Sequence, residues 1–380
     1  MTELRTPLHD LHAAGGASFT DFGGWQMPVR YSSDLAEHHA VREAAGLFDI
    51  SHMAQLMIAG PDAAAFLDAA ITADVSAIPV SRARYAMLLA EDGGIIDDLI
   101  VSQNAPGEYL VVANAGNHDA VVEALTARIE GFEATLTDLR GHLALIAVQG
   151  PAAQRILEAT AGLVQAPEWA MGHDLEELPY YAVMGMRFSS GGRDSAVLVS
   201  RTGYTGEDGF ELAVDTAHAA ALWQALLAAG EPLGLVPCGL AARDTLRLEA
   251  GMPLYGHELS RETQPAQAGL GRIAPPKTKT ADFTGRAAVE RGPGDDARVL
   301  VGLRAEGRRA ARAGYPVLAG EEVVGEVTSG ALSPTLGFPV AMAFVDPAHR
   351  EPGTVLDLDV RGTRIPATVV ALPFYSRKKS

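Results

Sequence analysis

Cysteine is almost absent from this sequence: Cys238 stands alone among 380 residues. That excludes an intramolecular disulfide and any all-cysteine metal site. Small apolar neighbours and no nearby histidine mark Cys238 as a buried, inert thiol rather than a nucleophile. Positive charge is also short. Lys and Arg total 30 against 47 Asp and Glu, giving a formal net charge of -17 and a pI near 5.0. Such a balance argues against nucleic acid or an anionic membrane as partner, since both need a basic face. Arg377-Lys378-Lys379 is the one local basic run at the end of the chain, and it reads as solvated. No apolar run approaches the roughly 18 residues of a membrane span. Met1 to Asp10 shows neither a signal core nor an Arg-rich, acid-poor transit composition, so a cytoplasmic protein is expected. Metal-ligand spacing is missing too. His38 and His39 are neighbours and diverge by about 100° on a helix, and no His-Glu-x-x-His occurs. His52 is isolated. Hydrogen-bonded structural histidines, and no metal, are the expectation.

Hydrophobic residues at 48% and charged residues at 20% describe an ordinary globular protein. The length calls for two or three domains. The most telling stretch is Gly93-Gly94-Ile95-Ile96-Asp97-Asp98-Leu99-Ile100-Val101. Its glycines predict a tight turn and its β-branched run a buried strand. Alternation puts Asp97 with Ile95, Leu99 and Val101, and Asp98 with Ile96 and Ile100. A carboxylate without partners in an apolar run costs several kcal/mol or gives up its charge. Either the strand starts late and both acids sit at its wet end, or one meets a polar ligand in a cavity.

Around this stretch the pattern predicts a helix from Asp34 to Ala45, capped by Asp34 and stopped by Gly46. Gly60-Pro61 opens a short helix, Tyr85 to Ala90 pairs with the Asp97 strand as a hairpin, and Glu108 to Ala113 follows. These elements suggest an α+β unit over 51–140. Gly150-Pro151 repeats the Gly60-Pro61 turn and hints at an internal duplication. In Arg201-Thr-Gly-Tyr-Thr-Gly-Glu-Asp-Gly209 the glycines suit a sharp turn or close approach to a ligand. No Gly-Lys-Ser/Thr follows, so this is not a phosphate loop. Glu211 lies inside the apolar exit strand, between Phe210 and Leu212. Arg243 and Arg247 share a helix face, consistent with a surface ion-pair ladder with Asp244 and Glu249. Ala274-Pro-Pro-Lys-Thr-Lys-Thr-Ala281 reads as a linker. Five short alternating strands after Val299 predict a small all-β domain of sandwich or barrel type.

With these residues read, the chain resembles the aminomethyltransferase (T-protein) family of the glycine cleavage system. The likeness lies in Asp21 to Tyr31, Phe48-Asp-Ile-Ser-His-Met53, Gly94 to Ile100, Ala147-Val-Gln-Gly-Pro151, Arg201 to Gly209, Gly239 to Gly251 and Thr328 to Pro334. The resemblance implies a multidomain α+β and all-β fold, a three-domain cloverleaf around a central folate cavity. Its first domain would be discontinuous, 1–50 plus 141–275, with 51–140 inserted and a jelly-roll-like β domain over 281–380. It implies transfer of an aminomethyl-borne carbon from the dihydrolipoyl arm of H-protein to tetrahydrofolate, with release of ammonia. A carboxylate near the folate nitrogens would stabilise a developing cation and accept a proton.

The resemblance places that catalytic carboxylate at Asp97 and leaves Asp98 structural. It assigns Glu211 to the pterin ring, where two donors meet a carboxylate. Arg243 would recognise the pterin carbonyl edge, Tyr85, Asn114 and Tyr204 would line the folate cavity, and Arg377 would be a C-terminal folate contact. Gln267 and Arg272 depart from the family pattern, the first in place of a glutamate and the second of an aromatic residue. Two alternatives remain at this stage: a folate-dependent demethylase of the same superfamily, and a non-catalytic folate-binding iron–sulfur assembly protein. The latter carries a cysteine in the segment where Tyr204-Thr205-Gly206 has none.

Overall fold

A computed structural model describes residues 3–166, 173–274 and 277–377. Pro275-Pro276 of the expected linker and Lys378-Lys379 of the basic tail lie outside the described residues. Two compact units divide the chain. The first comprises Met1–Leu67, Val75–Tyr85 and Leu99–Arg243; the second comprises Asp68–Asp74, Ala86–Asp98 and Asp244–Ser380.

Strands β1 (Leu4–Arg5), β2 (Ser18–Phe22) and β3 (Trp25–Arg30) form a small sheet in the order β1-β3-β2. The helix after them runs Asp34–Glu43 and is capped by Ser33, whose Oγ accepts the Ala36 N–H at 3.4 Å. Asp34, the expected cap, is instead in the first turn. The helix ends early because Ala45–Asp49 becomes strand β4. Gly46 is therefore a strand residue, not a helix stop. A Cβ there would meet Val41 Cγ2 at 2.5 Å and Cys238 Sγ at 2.7 Å, so glycine lets helix and strand pack closely.

The next strands are β5 (Ala54–Ala59), β6 (Ala83–Leu89), β7 (Ile95–Ala105), β8 (Glu108–Ala113) and β9 (Thr135–Asp138), in the sheet order β6-β7-β8-β5-β9. A larger sheet has β10 (Leu143–Gln149), β11 (Leu163–Gln165), β12 (Val183–Ser190), β13 (Arg193–Ser200), β14 (Gly209–Asp215) and β15 (Leu235–Pro237). With β4 its order is β11-β12-β13-β14-β10-β4-β15. The hint of duplication is thus realised. Each Gly-Pro turn joins a sheet strand to a short helix, then to three antiparallel strands (preceded in the second copy by the short β11), then to a longer helix. The orders β6-β7-β8-β5 and β12-β13-β14-β10 match position for position. The copies meet symmetrically: Ala83 N–H donates to Tyr181 O and Val183 N–H to Ser81 O, both at 2.9 Å. Ser81 and Tyr181 also share a positive φ, 67° and 58°.

The core of the larger sheet is filled by Ile146, Val148, Phe210 and Leu212 against Leu222, Trp223 and Leu226 of the helix Thr216–Gly230. In the second unit, β16 (Val299–Ala305), β17 (Pro316–Ala319), β18 (Glu322–Leu332), β19 (Pro339–Val345), β20 (Val355–Val360) and β21 (Thr363–Val370) close into a barrel, β16-β19-β18-β17-β20-β21. Strand β17 escapes the sequence pattern because it is four residues long and opens on proline. No helix among the described residues is long and apolar enough to cross a membrane.

Two segments depart from expectation for long-range reasons. Lys279, in the expected linker, is buried, and its ammonium donates to Asp68 O, Ile71 O and Ala73 O at 2.7, 3.0 and 2.5 Å. Three carbonyls use all three of its donors, which is why burial is tolerated. Arg247 is only 1% exposed, so the expected surface ladder is an internal network. It bonds Asp244 and Glu258 at 2.8 and 3.0 Å and donates to Ser329 Oγ at 2.7 Å, while Glu249 accepts from Ser333 and Thr335.

Gly150 has φ +133°, and a Cβ there would meet Ala44 O at 2.6 Å and Val41 O at 2.7 Å. Gly150→Ala is therefore expected to cost about 2 kcal/mol or more, from backbone strain and clash together. Urea unfolding of the two proteins checks this; an unshifted midpoint would show that the turn relaxes.

Candidate functional site

The polar centre of the first unit is built around Gln149, at the end of β10. Its side chain is completely buried and used at both ends: Nε2 donates to Thr202 O at 3.0 Å and Oε1 accepts from Thr205 Oγ1 at 2.9 Å. The glycines of the 201–209 segment are explained by this amide. A Cβ at Gly203 or Gly209 would collide with the Gln149 side chain, and Gly206 turns the chain at φ +79°. Their close approach is to a buried glutamine. The segment is braced at its ends by Arg201, which grips both oxygens of Asp208 at 3.1 and 2.6 Å. Arg42 adds hydrogen bonds to Thr205 O and Glu207 at 2.7 and 2.9 Å.

So held, Thr202 Oγ1 donates to Glu211 Oε2 at 2.5 Å. Glu211 sits on β14 opposite Ser200 of β13 and Ala147 of β10, in the middle of the sheet as its apolar flanks predicted. Tyr204 turns its ring to Arg243, whose guanidinium carbon lies 4.9 Å from the ring centroid. Arg243 enters on the helix Leu240–Glu249, positioned by Gly239, whose N–H donates to buried Glu37 at 2.9 Å. Burial pulls the Arg243 guanidinium down, while the charge of Glu211 opposes that shift. Nη1 of Arg243 is shut off from solvent with no hydrogen-bond partner. The structure thus brings together Glu211, Tyr204 and Arg243, and adds Gln149 and Thr202, whose roles rest on contacts distant in sequence.

A second polar group lies after β4. His12 Nε2–H donates to Asp49 Oδ2 at 2.8 Å, and Tyr31 OH donates to His12 Nδ1 at 2.9 Å. Burial alone would raise the Asp49 carboxyl, but its hydrogen bonds from His12 and Ser51 outweigh it and hold the group below its ordinary value. Burial, with the charge of Asp49, keeps the Tyr31 phenol protonated, as a donor must be. His52 is a correction to expectation. It is 4% exposed, touches Phe22 edge-on at 5.6 Å, and its buried Nδ1 has no hydrogen-bond partner. Cys238 is buried, its thiol pushed well above its usual value by burial, which agrees with an inert role.

Tyr85 is half-buried on β6, and Asn114 is half-buried just past β8, where it opens the turn Ala115–Asn117. Asp97 and Arg377 belong to the second unit. Strand β7 begins at Ile95, immediately after the turn, so the acids are not at a wet end. Asp97 is 0% exposed among Ile95, Ile96 and Leu99, while Asp98 is half-buried. The strand start is clipped by Tyr255 OH donating to Ile95 O at 3.1 Å and by Ile95 N–H to Ser260 O at 3.1 Å. The Tyr255 phenol is pushed up by burial and then by the Asp97 charge. Arg377 is exposed. Gln267 bridges backbone, accepting from Gln264 N–H at 3.0 Å and donating to Arg298 O at 3.1 Å; Arg272 is exposed. Among the described residues no group of three or more His, Cys, Asp or Glu is arranged to hold a metal.

A family model for the GCVT N-terminal domain matches residues 8–278, and one for the glycine cleavage T-protein C-terminal barrel domain matches 298–376. The chain belongs to the glycine cleavage T-protein family. Among its relatives, the aminomethyltransferase of Streptomyces coelicolor is 55% identical, covering 100% of this chain and 99% of its own. That of Bacillus cereus is 42% identical and covers 100% of both chains. The crystal structure of glycine cleavage system aminomethyltransferase T from Bartonella henselae superposes with a TM-score of 0.87 at 37% identity, covering 98% of each chain. These relatives carry the aminomethyltransferase name, not that of a demethylase or an iron–sulfur assembly protein.

Burial pulls His52 down to about 4, with Arg243 adding to the shift and Asp49 opposing it. The folded value lies below the unfolded 6.5, so the unfolded chain takes up the proton first. The stability that His52 contributes by staying neutral is full above pH 6.5 and falls as the pH drops towards 4. His52→Phe should remove up to about 3 kcal/mol of that acid sensitivity. Urea unfolding between pH 4 and 8 checks this; parallel profiles for the two proteins would refute it.

Proposed function

We propose that this chain transfers the one-carbon unit of an aminomethyl group, carried on the dihydrolipoyl arm of an H-protein, to tetrahydrofolate. Ammonia is released and 5,10-methylenetetrahydrofolate is formed. The enzyme is a folate-dependent transferase, and the family membership above supports the reading. The observation that carries it to particular residues is the buried Nη1 of Arg243 without a partner, beside the face of Tyr204 and the carboxylate of Glu211. A donor waiting next to an acid is the arrangement that a pterin edge, with its carbonyl, ring N–H and amino group, would complete.

Tetrahydrofolate supplies the attacking nitrogen when bound. Arg243 donates to the carbonyl edge of the ring, and Glu211 accepts from its N–H groups. Tyr204 offers its ring, and Tyr85 and Asn114 are the further lining residues in this reading. Asp97 is the catalytic carboxylate. Held buried in β7, it stabilises positive charge as the carbon leaves sulfur and takes up the proton that the attacking nitrogen loses. No protein nucleophile is required, because sulfur is the leaving group. Arg377 is the remaining folate contact proposed. A reducing, cytoplasmic setting suits the single free thiol at Cys238.

We divide the chain into a first domain of 1–50 plus 141–275, an inserted domain of 51–140 and a barrel domain of 281–380. Sheet membership supports this: β5 to β9 all fall within 54–138, while β4 joins β10 to β15 across that insertion.

Single-turnover assays with aminomethyl-loaded H-protein and tetrahydrofolate test the function. Wild type should release ammonia and form 5,10-methylenetetrahydrofolate. Asp97→Asn should keep folate affinity and lose about 100-fold or more in rate, the scale of a lost acid–base or charge-stabilising group. A wild type that binds folate without releasing ammonia would overturn the reading.

A further inference from the structure

His52 is buried, and its ring nitrogen Nδ1 is enclosed by the fold without a hydrogen-bond partner. Its neighbours in the same turn are saturated. Asp49 accepts from His12 and from Ser51 N–H at 2.8 and 2.9 Å, and Ser51 Oγ exchanges hydrogen bonds with Leu145 O and Leu145 N–H at 3.2 and 3.0 Å. The missing partner is therefore specific to His52, and an unmade buried hydrogen bond is costly enough to need a reason.

The surroundings supply one. Phe22, against which His52 packs, is paired with Trp25 across the β2–β3 turn. Trp25 and Met27 cluster with Leu240, at the start of the Arg243 helix, and with Ala115, next to Asn114. In the same turn Gly23 packs on Gly116, where an added Cβ would come within 3.3 Å. One hairpin tip thus gathers His52, the Arg243 helix and the Asn114 turn within the first unit. His52 Nδ1 and Arg243 Nη1 are both buried there without partners.

We propose that His52 is a positioning residue for the pterin ring of the folate substrate, its imidazole Nδ1 acting alongside Arg243 Nη1. This rests on the folate reading above. The chemistry is complementary. A guanidinium only donates, whereas a neutral imidazole protonated on Nε2 accepts at Nδ1. Together they match a ring edge on which a carbonyl stands beside an N–H. A charged imidazole would instead set two donors beside a guanidinium, and the low proton affinity of His52 agrees with the neutral form.

The test measures anaerobic tetrahydrofolate binding to the full chain by calorimetry, together with kcat and KM. His52→Phe keeps a ring against Phe22 and removes the nitrogen; affinity should fall about tenfold and KM rise in step, with kcat little changed. In His52→Asn the amide reaches the position of Nδ1, and affinity should return to within about threefold of wild type. Far-UV spectra and Tm establish that each variant is folded. Wild-type affinity in His52→Phe overturns the proposal, and so does equal loss in His52→Phe and His52→Asn, which marks a packing role. Arg243→Gln separates the two levels. If it loses affinity while His52→Phe does not, only the His52 assignment fails; if neither loses affinity, the folate site itself is misplaced.

Discussion

The buried amide of Gln149 is the interaction on which the candidate site depends. A primary amide enclosed without partners would cost several hydrogen bonds at once, so its surroundings must be shaped to it. The 201–209 segment is that shape. Thr202 offers a carbonyl, Thr205 a hydroxyl, and Gly203 and Gly209 yield the space that side chains would take. Fixing Thr202 directs its hydroxyl to Glu211, and fixing Thr202 and Thr205 leaves Tyr204 between two anchors, its ring against Arg243. A segment that reads as a flexible glycine-rich turn is in fact tied from inside by one side chain. The ion pairs of Arg201 and Arg42 brace it from the ends.

That arrangement belongs to only one of the two repeated units. Gly60 and Gly150 occupy equivalent turns, so Ala59 stands where Gln149 stands. With alanine there the first copy has nothing to organise a matching loop, and β7 runs to β8 through a short turn. The reverse asymmetry holds for the hairpin. Gln103 and Arg201 donate equivalent backbone hydrogen bonds to Arg82 and Ala182. Counting back equally along β7 and β13 sets Asp97 opposite Ser195. One copy therefore carries the buried strand carboxylate and the other carries the acid, ring and loop. Duplication provided two frames, and the polar groups were placed differently in each.

How much of this was legible in the sequence depends on the range of the interactions. Alternation located Asp97 on the buried side of its strand because that needs only neighbours: Ile95, Leu99 and Val101 are buried with it. Glu211, flanked by Phe210 and Leu212, could be read the same way. Motifs supplied Arg243 and Tyr204 through family resemblance. What stayed hidden turns on distant partners. Gly46 looks like a helix stop until Cys238 is set against it, and Lys279 looks like linker until Asp68, Ile71 and Ala73 turn their carbonyls to it. Arg247 looks like a surface residue until Glu258 and Ser329 enclose it. The role of Gln149 is invisible for the same reason, since its partners lie beyond residue 200.

Histidines make the same point, and they show what distinguishes a structural polar group from one kept for a ligand. His12 and His52 are both buried, and sequence gives no ground to separate them. His12 is used at both nitrogens, by Asp49 and Tyr31, and the three groups close on themselves. Nothing could be added there without breaking a bond. His52 packs its ring on Phe22 with Nδ1 unpartnered, and burial, then the positive charge of Arg243, weakens its hold on a proton. Folding alone would favour a phenylalanine in that place, since it would fill the space with no polar atom to desolvate. The pterin contact proposed for Nδ1 accounts for an imidazole in that place. The same reasoning applies to Arg243, whose guanidinium is held charged by Glu211 and Tyr204 yet retains one buried donor without a protein partner. Arg247, four residues along the same helix, is saturated by protein groups and belongs to the architecture. Saturation, not burial or charge, separates the two arginines and the two histidines.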